Sequence, residues 1–191
     1  MNWSMLNCAT MYLVPKFDID SFMDLLASID HITFLPAVPT MINAIVNHPR
    51  AGELKLDKKI GFFNSGGAPI PSELIERCKD LGLRVSEGWG MSETTSVGVG
   101  NPVLGLKKVG SIGITLSGMD VKLVDVEDGK TEVPQGQPGE LLIKGPFVMK
   151  EYWENPEKTA DELKDGWLHT GDVAKMDEDG YFYIVDRKKD M

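Results

Sequence analysis

Cysteine is scarce in this sequence: Cys8 and Cys78 are the only two among 191 residues. They stand far apart, with no histidine at metal-binding spacing, so neither a disulfide scaffold nor a zinc site is expected and the chain reads as one from a reducing compartment. Long apolar runs are missing too. No stretch reaches the roughly 18 apolar residues that span a bilayer, and residues 1–15 lack the basic start and apolar core of a secretory signal. A cytoplasmic location without a transmembrane segment is therefore expected. Basic residues are in the minority, 20 Lys and Arg against 29 Asp and Glu, for a formal net charge of −9 and a pI near 4.8. That excess of negative charge argues against non-specific binding to nucleic acid or to anionic membranes, both of which need a cationic surface. A polyanionic ligand must then be held locally, by backbone N–H groups, a metal or a few chosen cations.

What is present is an ordinary globular composition, 42% hydrophobic and 26% charged, in a chain long enough for one or two domains. From Asp18 to about Gly88 helical and strand patterns alternate. Phe22, Leu25, Leu26 and Ile29 have helical spacing after Asp20-Ser21, a candidate N-cap, and Ile32 to Leu35 follow as a buried strand. A second helix runs from Pro39-Thr40 through Ile42, Ile45 and Val46 to a stop at Pro49. Ile60 to Phe63 form the next strand, Pro71 to Leu81 the next helix with Gly82 at its C-terminal end, and Leu83 to Ser86 a further strand. This alternation implies βαβ units and a parallel sheet that holds ligands at its strand C-termini. Beyond about Gly105 the texture becomes short strands, Asp120–Val126, Glu140–Lys144, Asp172–Met176 and Tyr181–Val185, punctuated by Asp128-Gly129, Pro138-Gly139 and Asp179-Gly180. One helix, Pro156–Leu163, interrupts them. The expected fold class is α/β: a parallel βαβ portion over residues 1–110, a small antiparallel β-barrel-like subdomain over 111–187, and residues 188–191 leading out. The opening Asn2 to Cys8 enters without a turn signal or cap and reads as a start made by truncation.

Three segments carry candidate chemistry. Asn64-Ser-Gly-Gly-Ala-Pro-Ile-Pro71 lies between a strand and a helix, and its two glycines let backbone approach a flat ligand; plain topology is the alternative. Ser86-Glu-Gly-Trp-Gly-Met-Ser-Glu93 sets Trp89 between two glycines, where a purine ring could supply its missing packing partner. Ser92 and Glu93 then offer a hydroxyl and a carboxylate suited to a phosphate oxygen and Mg²⁺. The alternative is a Ser-Glu pair near a helix start with Trp89 in the core. In the third segment, Asp172 and the planar fork of Arg187 could clamp two ribose hydroxyls; otherwise Asp172 is a turn residue, Arg187-Lys188-Lys189 a solvated run, and His169 structural.

In their order, and together with Gly139-Glu-Leu-Leu-Ile-Lys-Gly-Pro146 and Tyr152-Trp-Glu-Asn-Pro-Glu-Lys-Thr159, these segments closely resemble the adenylate-forming superfamily, the AMP-dependent acyl-CoA synthetases. The likeness runs from about Asp18 to Met191. It implies that Gly66, Gly67, Ala68 and Pro69 line an adenine and acyl pocket, and that Gly88, Trp89, Gly90 and Met91 form the motif whose aromatic ring, usually Tyr, lies along adenine. By the same likeness Ser92, more often Thr, is expected to contact the α-phosphate, Glu93 to be the Mg²⁺-associated carboxylate, Asp172 and Arg187 to bind ribose, and Ile184 to be an apolar contact near the nucleotide. Lys189 falls on the hinge toward a further domain.

The wording Gly145-Pro-Phe-Val-Met149, with the Tyr152 run, resembles medium- and long-chain fatty acid:CoA ligases. Val97, Gly98 and Gly100 would then allow an alkyl tunnel or be ordinary core. The implied substrates are a carboxylic acid, ATP and CoA, with AMP as product and Mg²⁺ as cofactor. The alternatives are an aryl- or amino-acid-activating enzyme that loads a carrier thiol, and a non-catalytic AMP-binding module. The family's phosphate loop has no match before Pro15, and no stretch matches its lysine-bearing C-terminal domain, so the isolated chain is expected to have little ligase activity. Strand edges left unpaired would favour self-association.

Overall fold

A computed structural model describes residues 2–102 and 104–190. Met1 and Met191, which end the first and last of the expected segments, lie outside the described residues. The chain forms α1 (Asn2–Leu6), α2 (Ile19–Ser28), β1 (Ile32–Pro36), α3 (Pro39–Val46), α4 (Leu56–Lys59), β2 (Ile60–Ser65), α5 (Ser72–Asp80) and β3 (Val85–Trp89). It continues with β4 (Val99–Gly100), β5 (Ile114–Thr115), β6 (Asp120–Val124), β7 (Gly139–Lys144), α6 (Pro156–Glu162), β8 (Leu163–Lys164), β9 (Trp167–Met176) and β10 (Phe182–Arg187).

The expected α/β alternation is present. β1, β2 and β3 pair in parallel, and the short β4 and β5 extend the same sheet antiparallel. Helix α2 starts two residues earlier than the Asp20-Ser21 cap would have it. Asp18 is the N-cap, its carboxylate accepting from the Ser21 backbone N–H at 3.0 Å and from the Ser21 hydroxyl at 2.7 Å, which satisfies a donor that the first helical turn leaves free. Pro39 opens α3, where its missing N–H costs nothing. After α5, Gly82 takes φ +71° just beyond the C-cap Leu81 and turns the chain toward β3. Phe22, Met23, Leu26, Ile42, Ile45, Phe63 and Leu74 are buried together between these helices and the sheet.

The second sheet is antiparallel in the order β10-β9-β7-β6, with β8 on the flank of β9. Its core joins Val99, Leu141, Ile143, Leu168 and Phe182. Trp89 and Met91, at the end of the first sheet, pack against this second core. A Gly113–Phe182 bridge adds a backbone link between the two regions.

Two irregularities shape β9 and β10. Phe182, Tyr183 and Ile184 face Met176, Lys175 and Ala174, yet the next partners are Asp186 with Val173 and Arg187 with Asp172. Val185 is thus an extra residue, a β-bulge. On its other side β9 is also bulged: Glu140 faces Val173 and Leu142 faces His169, so Thr170-Gly171-Asp172 spans the space opposite Leu141 alone. Bulges of this kind re-aim side chains beside functional sites.

The β9–β10 hairpin is pinned from outside by Lys108, whose Nζ lies 2.6 Å from both Asp177 Oδ2 and Asp179 Oδ2. The Lys108 hydrogen bond, ahead of those from the Tyr181 N–H and the Tyr183 hydroxyl, draws the Asp177 carboxyl from 3.8 down to about 2. A depressed carboxyl stabilises the fold above its unfolded value, and that contribution disappears as pH falls from about 3.8 through about 2. Lys108→Met should remove this part of the acid transition, so thermal melts of the variant and the parent chain should converge below pH 2 to 3 and separate at pH 5. A constant separation over that range would count against the pin.

Candidate nucleotide site

The C-terminal ends of β2 and β3 and the bulged part of β9 and β10 meet at one cavity of about 860 Å³. Trp89 is the last residue of β3, so the aromatic belongs to the strand and not to the loop after it. Beyond it the chain doubles back: the Ser96 N–H donates to Met91 O at 2.9 Å, and the Gly98 N–H donates to Trp89 O at 3.0 Å. Thr94, fully buried, closes the turn with its hydroxyl, which accepts from the Met91 N–H at 3.0 Å. The return brings backbone so near that a Cβ on Gly90 would lie 2.2 Å from Ser96 O. Gly98 makes room for the indole, since its Cβ would lie 3.0 Å from Trp89 Cζ3 and 2.6 Å from Ile143 Cδ1. Gly98 is therefore a packing requirement of Trp89.

Asp172 is 7% exposed and has both carboxylate oxygens engaged. Trp89 Nε1 donates to Oδ2 at 2.7 Å, and Arg187 Nε lies 3.0 Å from Oδ1. Arg187, in place of Asp186, stands directly across the strand pair from Asp172 because Val185 is bulged out of the pairing. The bulged Thr170 accepts the Asp172 N–H at 3.1 Å and donates to Leu141 O at 2.7 Å, so the irregular backbone keeps its hydrogen bonds.

Beneath the clamp sits Glu140, 2% exposed. Its Oε1 accepts the Gly171 N–H at 3.3 Å, while Oε2 meets His169 Nδ1 at 3.3 Å and Lys188 Nζ at 3.1 Å. A carboxylate buried this deeply needs such partners. Glu87, also on the cavity wall, is pushed up from the usual carboxylate range by burial, against the pull of the Ile70 and Gly110 N–H groups.

Residues 1–153 match the AMP-binding enzyme family. The chain belongs to that family. It is 40% identical over 194 residues to the long-chain-fatty-acid–CoA ligase of Bacillus subtilis (strain 168), covering 100% of this chain and 34% of the relative. It is 40% identical over 189 residues to a feruloyl-CoA synthase of Amycolatopsis sp, covering 98% of this chain and 38% of that protein. Among solved structures, ATP-bound MatB from Rhodopseudomonas palustris superposes with a TM-score of 0.87 at 35% identity, over 100% of this chain and 37% of that one. The chain thus spans little more than a third of the length of these relatives.

For an AMP-binding enzyme the cavity holds most of the residues singled out by the motifs. Gly67, Ala68, Pro69, Gly88, Trp89, Gly90, Met91, Asp172, Ile184, Arg187 and Lys189 line it. Gly66, Ser92 and Glu93 are not among its lining residues. Gly66 lies under the loop, its missing Cβ 3.5 Å from Gly88 O, and Ser92 and Glu93 lie in a 3₁₀ turn that begins one residue past Met91. Glu93 is held by a segment that spacing alone did not connect to it: the Tyr152 hydroxyl donates to Glu93 Oε1 at 2.8 Å, and the Met149 N–H donates to Glu93 O at 2.7 Å. Burial and this carboxylate together push the Tyr152 phenol up to about 12, so it remains a donor at neutral pH.

No group of three or more metal-binding side chains occurs among the described residues. A lone carboxylate suits Mg²⁺, which keeps most of its waters and is held by one or two carboxylates plus substrate phosphates. Among the described residues the Tyr152 hydroxyl bonds Glu93 Oε1, and no side-chain hydrogen bond falls on Oε2. Among the described residues no helix is long and apolar enough to cross a membrane.

Glu87, Glu140 and Thr170 are among the wall residues that the sequence does not single out. His169, read as structural, is in contact with Glu140. Glu87 stands beside Trp89 in the motif and was within reach of sequence reading. The Glu140–His169–Lys188 grouping depends on strand pairing across up to 48 positions and leaves no local signal.

Proposed function

We propose that this chain holds the adenosine monophosphate moiety of ATP and of an acyl-adenylate, as the nucleotide-binding part of an ATP-dependent acid:CoA ligase. The observation that carries the reading is the convergence of Trp89, Asp172 and Arg187 on one cavity of about 860 Å³, within the usual size of small-molecule sites. In this reading adenine lies along Trp89 and against the Gly67-Ala68-Pro69 loop. Asp172 and Arg187 receive the ribose, Ile184 packs near the nucleoside, and Ser92 meets the α-phosphate. Lys189 is the hinge position.

The reaction is attack of a carboxylate oxygen on the α-phosphorus, with pyrophosphate leaving, followed by displacement of AMP by the CoA thiol. The acid is ionised at neutral pH, so no residue need remove its proton. The work of the chain is to hold the nucleotide in one orientation, which removes much of the entropic cost of the encounter. Glu93, oriented by Tyr152, is the residue that would hold Mg²⁺, whose charge offsets that of the phosphates when it is bound.

The acid in this proposal is a fatty acid. Support comes from Gly145-Pro-Phe-Val-Met149 and from the likeness to the Bacillus ligase. The feruloyl-CoA synthase, equally identical, favours an aryl acid as the second reading. Titration calorimetry on the chain should detect binding of AMP and of sulfamoyl-adenosine analogues, with the dodecanoyl analogue tighter than the feruloyl one. A feruloyl preference would move the acid to the aryl class. No heat with AMP or either analogue would sink the nucleotide assignment.

A further inference from the structure

Trp89 and Asp172 are 83 residues apart and come from different sheets, yet their contact is among the shortest in the cavity. At 2.7 Å the Nε1–Oδ2 distance lies in the range of charge-assisted bonds. The indole is held at both edges. Its Nε1 side meets Asp172, and its Cε3–Cζ3 side fills the space that Gly98 leaves by having no Cβ.

Each carboxylate oxygen has two lone pairs. With the Trp89 N–H on Oδ2 and Arg187 Nε on Oδ1, one acceptor direction remains on each oxygen, and the carboxylate cannot rotate without breaking both bonds. We infer that Trp89 is a positioning residue for Asp172: its indole N–H fixes the carboxylate so that the two remaining lone pairs meet two vicinal hydroxyls, which makes the site selective for ribose over deoxyribose nucleotides. The inference rests on the proposed placing of the sugar at Asp172. It gives Trp89 a second task, separable from that of a flat surface for the base. A phenyl ring at this position keeps an aromatic face and has no donor; a phenol carries its donor at the far end of the ring, where the indole has none.

The test separates the two tasks by calorimetry with AMP, 2′-deoxy-AMP, 3′-deoxy-AMP and 2′,3′-dideoxy-AMP. The parent chain should prefer AMP over the dideoxy nucleotide by about a hundredfold, the scale of two hydrogen bonds to a charged acceptor. In Trp89→Phe that preference should fall to about twofold, while affinity for the dideoxy nucleotide changes by less than about threefold. An equal loss for every nucleotide, with the preference intact, would mean that only the ring surface matters and would overturn the inference. Should Trp89→Phe fail to fold, 3-benzothienylalanine at position 89 preserves the bicyclic shape and replaces N–H by sulfur. It should lose the ribose preference in the same way, and its retention there also overturns the inference. If the parent chain binds AMP and dideoxy-AMP equally, the sugar is not at Asp172 and the underlying reading fails first.

Discussion

Gly90→Ala is expected to lower the unfolding free energy by about 3 kcal/mol or more, as measured by urea denaturation. The methyl group would lie 2.2 Å from Ser96 O, 2.4 Å from Ser96 C and 2.6 Å from Val97 N. All three are backbone atoms, so no side-chain rotation relieves the clash. The segment cannot yield easily either. Thr95 and Ser96 already occupy the left-handed region at φ 56° and 75°, a conformation disfavoured for residues with a Cβ. Hydrogen bonds from Ser96 N to Met91 O and from Gly98 N to Trp89 O hold the return. Relief means breaking that turn, which also frees Trp89 from its place at the end of β3. A loss below about 1 kcal/mol would show that the turn can open without the cost assigned to it.

Asp172→Asn should weaken AMP binding by about a hundredfold. In the parent chain both carboxylate oxygens accept from protein donors, Trp89 Nε1 and Arg187 Nε. An amide has one acceptor and one donor end, so its NH₂ must face either the indole N–H or the guanidinium. Arg187, whose side chain is 59% exposed, can turn toward water, whereas Trp89 is half-buried and bound by its packing. The substitution also removes the negative charge from any hydroxyl bonded to this group. Two hydrogen bonds to a charged acceptor, at about 1.5 kcal/mol each or slightly more, correspond to roughly two decades of affinity. Calorimetry with AMP reads the effect, and a parallel melt separates it from unfolding. Affinity within about threefold of the parent would remove Asp172 from the binding contacts.

Much of the scaffold was legible because its signals are local. Pro39 opening α3, Gly82 after α5, and the apolar spacing of Phe22 and Leu26 in α2 each act within a few residues. β4 and β5 escaped notice because two residues are too few to establish an alternation. β9 was read as starting at Asp172 when it begins at Trp167. The bulge at Thr170-Gly171-Asp172 breaks the two-residue period, so the alternation restarts there. Within the site, Trp89, Asp172 and Arg187 were recognisable by motif, and the structure brings them into one cavity. What holds them was not recognisable, because Tyr152 reaches Glu93 across 59 positions and Glu140 reaches Gly171 across 31. The second is a product of sheet register, and the first joins a loop to a 3₁₀ turn.

The extra residue Val185 has a consequence for how this strand can change over time. Paired regularly, with Val185 across from Val173, the register of Ile184 with Ala174 would set Asp186 across from Asp172, carboxylate against carboxylate. The bulge therefore decides which sign of charge faces Asp172. Loss of the codon for the exposed Val185 would keep Asp186 across from Val173 and Arg187 across from Asp172, now in regular pairing, whereas a Val185 drawn into the ladder would exchange attraction for repulsion at Asp172.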